Sequence, residues 1–272
     1  MNVKVQPLSG PPPAEVPLLR APLVRVIAQV RFAPILAIRN PDKVASFQEE
    51  IRSTYPLLSE ERVHHLAIQP PGIPESRESL IWRFVDDVNQ PQWRVSLGID
   101  FVSLETSAYA SRSDFLERLS LILTKLENSF KPAEAQRFGL RYIDRLTDDA
   151  LDQIHDLIKP DILGIALPVQ GAPSPLGRSA TFLLTEAQFQ ADEGLLMARW
   201  GNLPANATYD PDALEPFYKP SWIIDLDMFT SSPQPFTTSV LLETASNFAA
   251  RAYSVFRMMV TEDFLKFYGG NT

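Results

Sequence analysis

From Trp93 onward the apolar side chains fall on every second position. Trp93, Val95, Leu97, Ile99 and Phe101 alternate with Arg94, Ser96, Gly98 and Asp100. That period predicts a strand with one buried and one wet face. The spacing then lengthens, and Phe115, Leu119, Ile122, Leu123, Leu126 and Phe130 form the stripe of a helix. Ser111, with Asp114 three residues on, opens that helix like a capping box. The same two patterns return near the C-terminus. Trp222, Ile224, Leu226 and Met228 share one face of a strand over Ser221–Thr230, with Asp225 and Asp227 on the other. A long helix over Thr238–Met259 follows, bearing Leu241, Leu242, Ala245, Phe248, Ala249, Ala252 and Phe256.

The remaining elements fit around this pair. Val24, Val26, Ala28, Val30 and Phe32 point one way on a strand over Leu23–Phe32, and Arg25, Gln29 and Arg31 the other. Asn40 caps a helix with Pro41 in its first turn and Val44, Phe47 and Ile51 as its stripe, ended by Pro56. Strands over Val63–Gln69 and Leu80–Val88 flank a loop with Pro70, Pro71 and Pro74. A strand over Gln136–Leu146 sets Phe138, Leu140, Tyr142 and Leu146 against Arg137, Gly139, Arg141, Ile143 and Arg145. Asp148 or Asp149 then caps a helix carrying Leu151, Ile154, Leu157 and Ile158, stopped at Pro160. An irregular connection over Pro160–Gly177 leads to strands over Ser179–Ala191 and Leu195–Trp200, joined at Asp192-Glu193-Gly194. Leu203–Pro220 reads as a polar loop and Thr261–Tyr268 as a short amphipathic end. Pro7, Pro11, Pro12, Pro13, Pro17 and Pro22 make Val5–Pro22 an extended arm, loose, laid on a surface, or serving as a recognition peptide.

Both halves read as strand, helix, three strands, helix. Val30-Arg31-Phe32 corresponds to Leu140-Arg141-Tyr142, and the Trp93 strand to the Trp222 strand. The expected fold is α+β: a duplicated β-α-β-β-β-α unit forming a continuous antiparallel sheet, with the long helices on one face. Residues 1–22 are then a proline-rich arm, 23–131 the first repeat and 132–272 the second, the two repeats forming one globular unit. The strand order resembles the saddle of the TATA-binding-protein fold, also a tandem repeat, and that likeness carries no function. The chain also resembles an uncharacterised, sporadically distributed bacterial protein family of similar length. The resemblance rests on Pro22-Leu23-Val24, Val30-Arg31-Phe32, Tyr55-Pro56, Trp93-Arg94-Val95 through Leu104-Glu105-Thr106, Ser113-Asp114-Phe115 and Arg137-Phe138-Gly139-Leu140-Arg141-Tyr142. It implies a bacterial protein and brings no catalytic residues; its scattered occurrence suggests a defence or mobile-element setting.

Composition narrows the function classes. The 272 residues carry a net charge of −8, which disfavours general binding to nucleic acid or to anionic membranes. With no cysteine, disulfides and thiolate metal sites are excluded. Met1–Leu8 lacks a signal-peptide core and no apolar run reaches spanning length, so the expected location is the cytoplasm.

The candidate chemistry is cationic. Alternation gathers Arg25, Arg31, Arg137, Arg141 and Arg145 on the polar side of the sheet, with Arg94 and Arg83 from neighbouring strands. Aligned guanidinium groups repel unless something anionic lies between them. Cross-strand Arg–Asp pairs involving Asp100, Asp225 and Asp227 are the structural answer. An anionic ligand or an acidic protein partner is the functional one. Asp225-x-Asp227 also has the spacing of two metal ligands on one strand face, but such a site needs further converging carboxylates that the sequence does not place, and a solvated strand face is the preferred reading. Adjacent His64 and His65 point to opposite sides of a strand, and His155 stands alone. Trp93 and Trp222 read as core. Asn202–Pro220, with Tyr209, Phe217 and Tyr218, reads as a partner-binding loop or as a cover for its own half. No metalloprotease, nucleophile-elbow, phosphate-loop or dinucleotide motif occurs.

The sequence therefore argues for a non-catalytic binding or interaction protein without cofactor or metal. Its expected binding residues are Arg25, Arg31, Arg94, Arg137, Arg141 and Arg145. Its expected partner is a protein or a small anionic ligand, with a homo-oligomer admissible. On this reading Arg141→Glu abolishes binding and spares the fold. The alternatives are a metal-dependent enzyme acting on a nucleotide or phosphate ester through Asp225 and Asp227, and a structural subunit of a larger assembly.

Overall fold

Ten strands join into one antiparallel sheet in the computed structural model, which describes residues 6–69, 73–166 and 180–270. The strands are β1 (Leu23–Phe32), β2 (Leu57–Gln69), β3 (Ile73–Val85), β4 (Trp93–Gly98), β5 (Phe101–Thr106), β6 (Glu134–Leu146), β7 (Leu183–Ala191), β8 (Gly194–Leu203), β9 (Ser221–Phe229) and β10 (Gln234–Pro235). The helices are α1 (Pro41–Ile51), α2 (Arg112–Phe130), the short turns α3 (Asp149–Asp152), α4 (Ile154–Leu157) and α5 (Pro160–Leu163), then α6 (Thr238–Met259) and α7 (Glu262–Phe267). Strand order is β2-β3-β4-β5-β1-β6-β9-β8-β7, with β10 paired to β6. The chain divides into two compact units. One comprises Met1–Val26, Leu140–Phe229 and Asn247–Thr272; the other comprises Ile27–Gly139 and Thr230–Ser246.

The unit built from Ile27–Gly139 and Thr230–Ser246 follows its local signals closely. Asn40 Oδ1 accepts the Asp42 amide at 2.9 Å and starts α1. Ser111 Oγ accepts the Asp114 amide at 3.1 Å and starts α2. Both helices press on the same side of the strands: Phe47 meets Phe84 edge-on at 5.6 Å and Phe115 meets Trp93 at 5.8 Å. Arg83, Arg94, Ser96, Ser103 and Glu105 fall on the opposite side by register.

The strand expected over Trp93–Phe101 is in fact the start of a hairpin. β4 ends at Gly98, Ile99 and Asp100 turn, and β5 returns through Thr106. The turn reverses the phase of the alternation, so Phe101 pairs with Gly98 on the arginine side rather than joining Trp93. A Cβ on Gly98 would come within 2.4 Å of the Phe101 ring, so the glycine makes room for that phase change. β2 and β3 are also longer than their alternation suggested, and Pro74 lies within β3. Pro70 and Pro71 lie outside the described residues.

In the other unit, Trp222, Ile224, Leu226 and Met228 of β9 are buried. They share a side with Leu196 and Ala198 of β8 by register. Phe248 of α6 packs there against Gly194, and the Trp200 indole donates to the Ile162 carbonyl at 2.9 Å. The helix expected to begin at Asp148 or Asp149 breaks into the separate turns α3 and α4. Tertiary ties end α4 after Leu157. Ile158 bridges Val260, Lys159 N donates to Met259 O, and Thr261 N donates to Leu157 O, so the backbone is drawn out of the helical path. The expected connection over Pro160–Gly177 begins as α5 and a 3-10 turn at Gly164–Ala166, and its remainder, with Ser179, lies outside the described residues.

Gly201 has φ +149, and a Cβ there would lie 1.9 Å from the Leu183 carbonyl oxygen on β7. Because the obstacle is backbone, Gly201→Ala is expected to cost about 2–3 kcal/mol of stability. A denaturant titration checks this, and a loss under about 0.5 kcal/mol would show that β7 and β8 part easily.

Candidate functional site

Alternation on β6 and β9 brings a dense ionic cluster together on the side away from the helices. Arg141 grips Asp225 with two parallel bonds, Nε to Oδ1 and Nη2 to Oδ2, both at 2.8 Å. Its Nη1 reaches Asp210 Oδ2 at 2.7 Å. Tyr209 donates its hydroxyl to Asp225 at 2.7 Å, and Arg199 adds a longer contact at 3.4 Å. Arg199 Nε in turn meets Glu186 at 2.5 Å. Asp225 is wholly buried and Arg141 is 14% exposed. Burial opposes the charge of Arg141, but the hydrogen bonds and charge of Asp225 outweigh it and raise the guanidinium pKa further. Burial and then Asp225 push the Tyr209 phenol up, so it stays protonated and donates. Asp225 is thereby saturated by guanidinium and phenol donors. Asp227 is also engaged.

The segment 204–220 folds back over its own unit and closes the cluster. Besides Tyr209 and Asp210, it offers the Glu215 carbonyl to Arg145 at 2.6 Å and the Ala213 carbonyl to Arg25 at 3.4 Å. The Glu215 carboxylate approaches Arg25 at 3.8 Å, and Phe217 lies under the Arg145 guanidinium at 5.2 Å. Of the two readings of this loop, the described contacts are those of a cover. Three arginines (Arg25, Arg141, Arg199) thus meet four carboxylates (Asp210, Asp225, Glu186, Glu215), while Arg145 meets a backbone carbonyl and the Phe217 ring, so the cluster largely neutralises itself. Arg141→Glu would set a third carboxylate beside Asp210 and buried Asp225, so this substitution tests the fold rather than a binding event.

The other expected residues lie in the second unit. Arg94 pairs with Glu105, which is buried, and Arg83 pairs with Glu61 while donating to Ser96 Oγ at 2.9 Å. Arg137, on β6, is half-buried and also engaged. Arg31 differs from the rest. It is 50% exposed, meets Asp100 only at 3.6 Å, and otherwise donates to Gln29 at 3.3 Å. Alternation therefore gathered Arg25, Arg141 and Arg145 with Arg199 in one unit, and left Arg31, Arg94 and Arg137 in the other.

Sequence reasoning missed Arg199, Asp210 and Asp144, and named Tyr209 only as an aromatic of the 202–220 loop. Arg199 faces Asp225 directly across β8 and β9, a pairing visible only once the register is known. Asp144 carried a readable signal, because it lies in phase with Leu140, Tyr142 and Leu146 on the apolar side of β6. It is buried there without a hydrogen-bond or ion-pair partner among the described residues, and burial raises its carboxyl pKa to about 7. Tyr268 lies near it, raised first by burial and then by the Asp144 charge.

Among the described residues, no group of three or more histidine, aspartate or glutamate side chains is placed to hold a metal ion. None of the described helices is long and apolar enough to cross a membrane. No protein-family model, curated protein or solved structure matches the chain.

Proposed function

We propose that this chain is a non-catalytic binding or interaction protein that takes an anionic ligand, or an acidic stretch of a protein partner, on the arginine-bearing side of its sheet. The observation that carries this reading is the loose state of Arg31 beside the locked state of Arg141. An exposed pair at 3.6 Å contributes little stability and is readily exchanged for an incoming carboxylate or phosphate. The self-neutralised cluster around Asp225 then serves as the rigid support of the sheet. Arg94 and Arg137 are the further candidates on the Arg31 side. The working location is the cytoplasm of a bacterial cell, with the protein acting alone or as a homo-oligomer. The bacterial setting rests on the family resemblance of the motifs quoted above.

The duplicated architecture is part of the same proposal. Its support is the sheet order, in which β5 to β2 run outward from β1 and β9 to β7 run outward from β6. A long helix follows the last of these strands in each half, α2 after β5 and α6 after β9. Arg31 lies on β1 and Arg141 on β6, the first strand of each proposed half. Trp93 and Trp222 do not hold matching places: β9 adjoins β6 as β5 adjoins β1, whereas Trp93 lies on β4.

The test is a titration of fluorescent polyglutamate, and separately of inorganic phosphate, into the wild-type chain and Arg31→Ala. The expected result is binding that weakens about tenfold in Arg31→Ala and fades with added salt, while the thermal midpoint holds. Equal affinity in both proteins, or none in either, would overturn the proposal.

A further inference from the structure

The proline-rich arm is tied to α6, to the end of α7 and to the turn between β7 and β8. Gln6 to Ser9 form a turn, with Ser9 N donating to Gln6 O at 3.2 Å, and Gly10 follows with φ +76. Arg251 of α6, 3% exposed, grips Glu193 with two bonds at 2.6 and 2.7 Å. The rest of the same guanidinium holds the Pro7 and Gly10 carbonyls at 3.1 and 2.9 Å. Asp192 completes the catch: its amide donates to Leu8 O at 3.1 Å, and its carboxylate accepts Gly10 N at 3.3 Å. Farther along, Tyr253 accepts the Val16 amide at 2.8 Å, and Arg20 N donates to Tyr268 O at 3.1 Å. Tyr253 and Tyr268, which make these contacts, and Phe267, whose carbonyl accepts from the Arg20 guanidinium, belong to an aromatic ladder that also includes Phe256 and Phe264. Successive ring centroids from Tyr253 through Phe256, Phe264 and Tyr268 to Phe267 are 6.2, 5.4, 4.7 and 5.0 Å apart.

Two features mark this contact as a recognition site rather than core. Most hydrogen bonds to the arm among the described residues meet its backbone, so they tolerate changes of side chain. No residue from Gln6 to Ala21 is buried, so little apolar area resists release. Aromatic grooves that hold extended proline-rich segments through backbone carbonyls are a recurrent docking mode, because such segments lose little entropy on binding.

We propose that the surface of α6 and α7 that holds the arm, with Arg251, Glu193 and Asp192 as its catch, docks a proline-rich segment of a partner protein, and that the arm is its competitor in cis. The arm lowers the apparent affinity for the partner by the fraction of time it leaves that surface. The surface is separate from the arginine face, so either proposal can fail alone.

Gly10 provides the test. Nothing lies within 4 Å of a Cβ placed there, but φ +76 strains any L side chain. Gly10→Val should weaken the arm in cis by about tenfold and leave the surface that holds it untouched. The probe is a labelled peptide with the sequence Gln6–Arg20, titrated into full-length wild-type and Gly10→Val chains. The expected result is binding about tenfold tighter to Gly10→Val, with faster proteolysis of its arm, and loss of binding when every peptide proline becomes alanine. Three results would overturn the proposal. The first is equal affinity for both chains. The second is an arm still protected in Gly10→Val. The third is a wild-type chain that dimerises with concentration by exchanging arms, which would make a second copy the occupant.

Discussion

Replacing Arg141 by alanine is expected to lower the stability of the protein by about 3–5 kcal/mol. The loss comes less from the missing contacts than from what they leave behind. Asp225 is wholly buried and would keep only the Tyr209 hydroxyl and the longer Arg199 contact. Asp210 would lose its guanidinium partner and with it a tie that holds the covering loop. Arg141→Lys retains the charge but cannot make the two parallel bonds, so about half the loss is expected. The double variant Arg141→Leu, Asp225→Leu should be less destabilised than the sum of its single changes, since removing both charges leaves neither uncompensated. Denaturant titrations of the set provide the measurement. A loss below about 1 kcal/mol for Arg141→Ala would mean that water already solvates the pair.

Asp144 should make the protein less stable as pH rises, the reverse of the usual carboxylate. Its folded pKa is raised from the ordinary 3.8 to about 7 by burial. Between those values the folded state holds a proton that the unfolded chain has released. Unfolding then sheds protons, so stability falls with rising pH, by up to about 1.4 kcal/mol per unit. The favourable contribution is complete below about pH 4 and lost above about pH 7. Asp144→Asn removes this dependence. Its stability relative to wild type should improve steadily from pH 4 to 7 and hold a constant advantage above, on the order of 4 kcal/mol over the whole window. Chemical denaturation at pH 4.5, 6 and 8 provides the test. Parallel curves for the two proteins would show that water reaches the carboxyl.

Helix ends were legible because their chemistry is local. The extent of α6, Thr238–Met259, and the caps at Asn40 and Ser111 follow from a few neighbouring residues and agree with the structure. Strand phase was legible wherever no turn intervened, as on β1 and β9. It failed at Ile99-Asp100 because a tight hairpin continues the alternation of the strand before it, and only the pairing of Gly98 with Phe101 reveals the reversal. The stop of α4 at Leu157 escaped for a different reason. The apolar spacing there is helical, but backbone bonds to Met259 and Thr261, about a hundred positions away, set the path of the chain.

The candidate site divides in the same way. Alternation alone put Arg25, Arg141 and Arg145 on one side of the sheet, because the side-chain period of a strand is independent of what packs around it. Which carboxylate each would meet depended on register and on the return of the 204–220 loop, contacts between residues tens of positions apart that no local pattern encodes. Residue order thus settled the α+β class, the extent of α6, the starts of α1 and α2, and the sidedness of Arg25, Arg141 and Arg145. Three-dimensional packing decided that Arg141 is locked and Arg31 loose, that the arm is tied to α6 and α7, and that Asp144 is buried. Burial and long-range pairing set those energies, and both exist only after the chain has closed on itself.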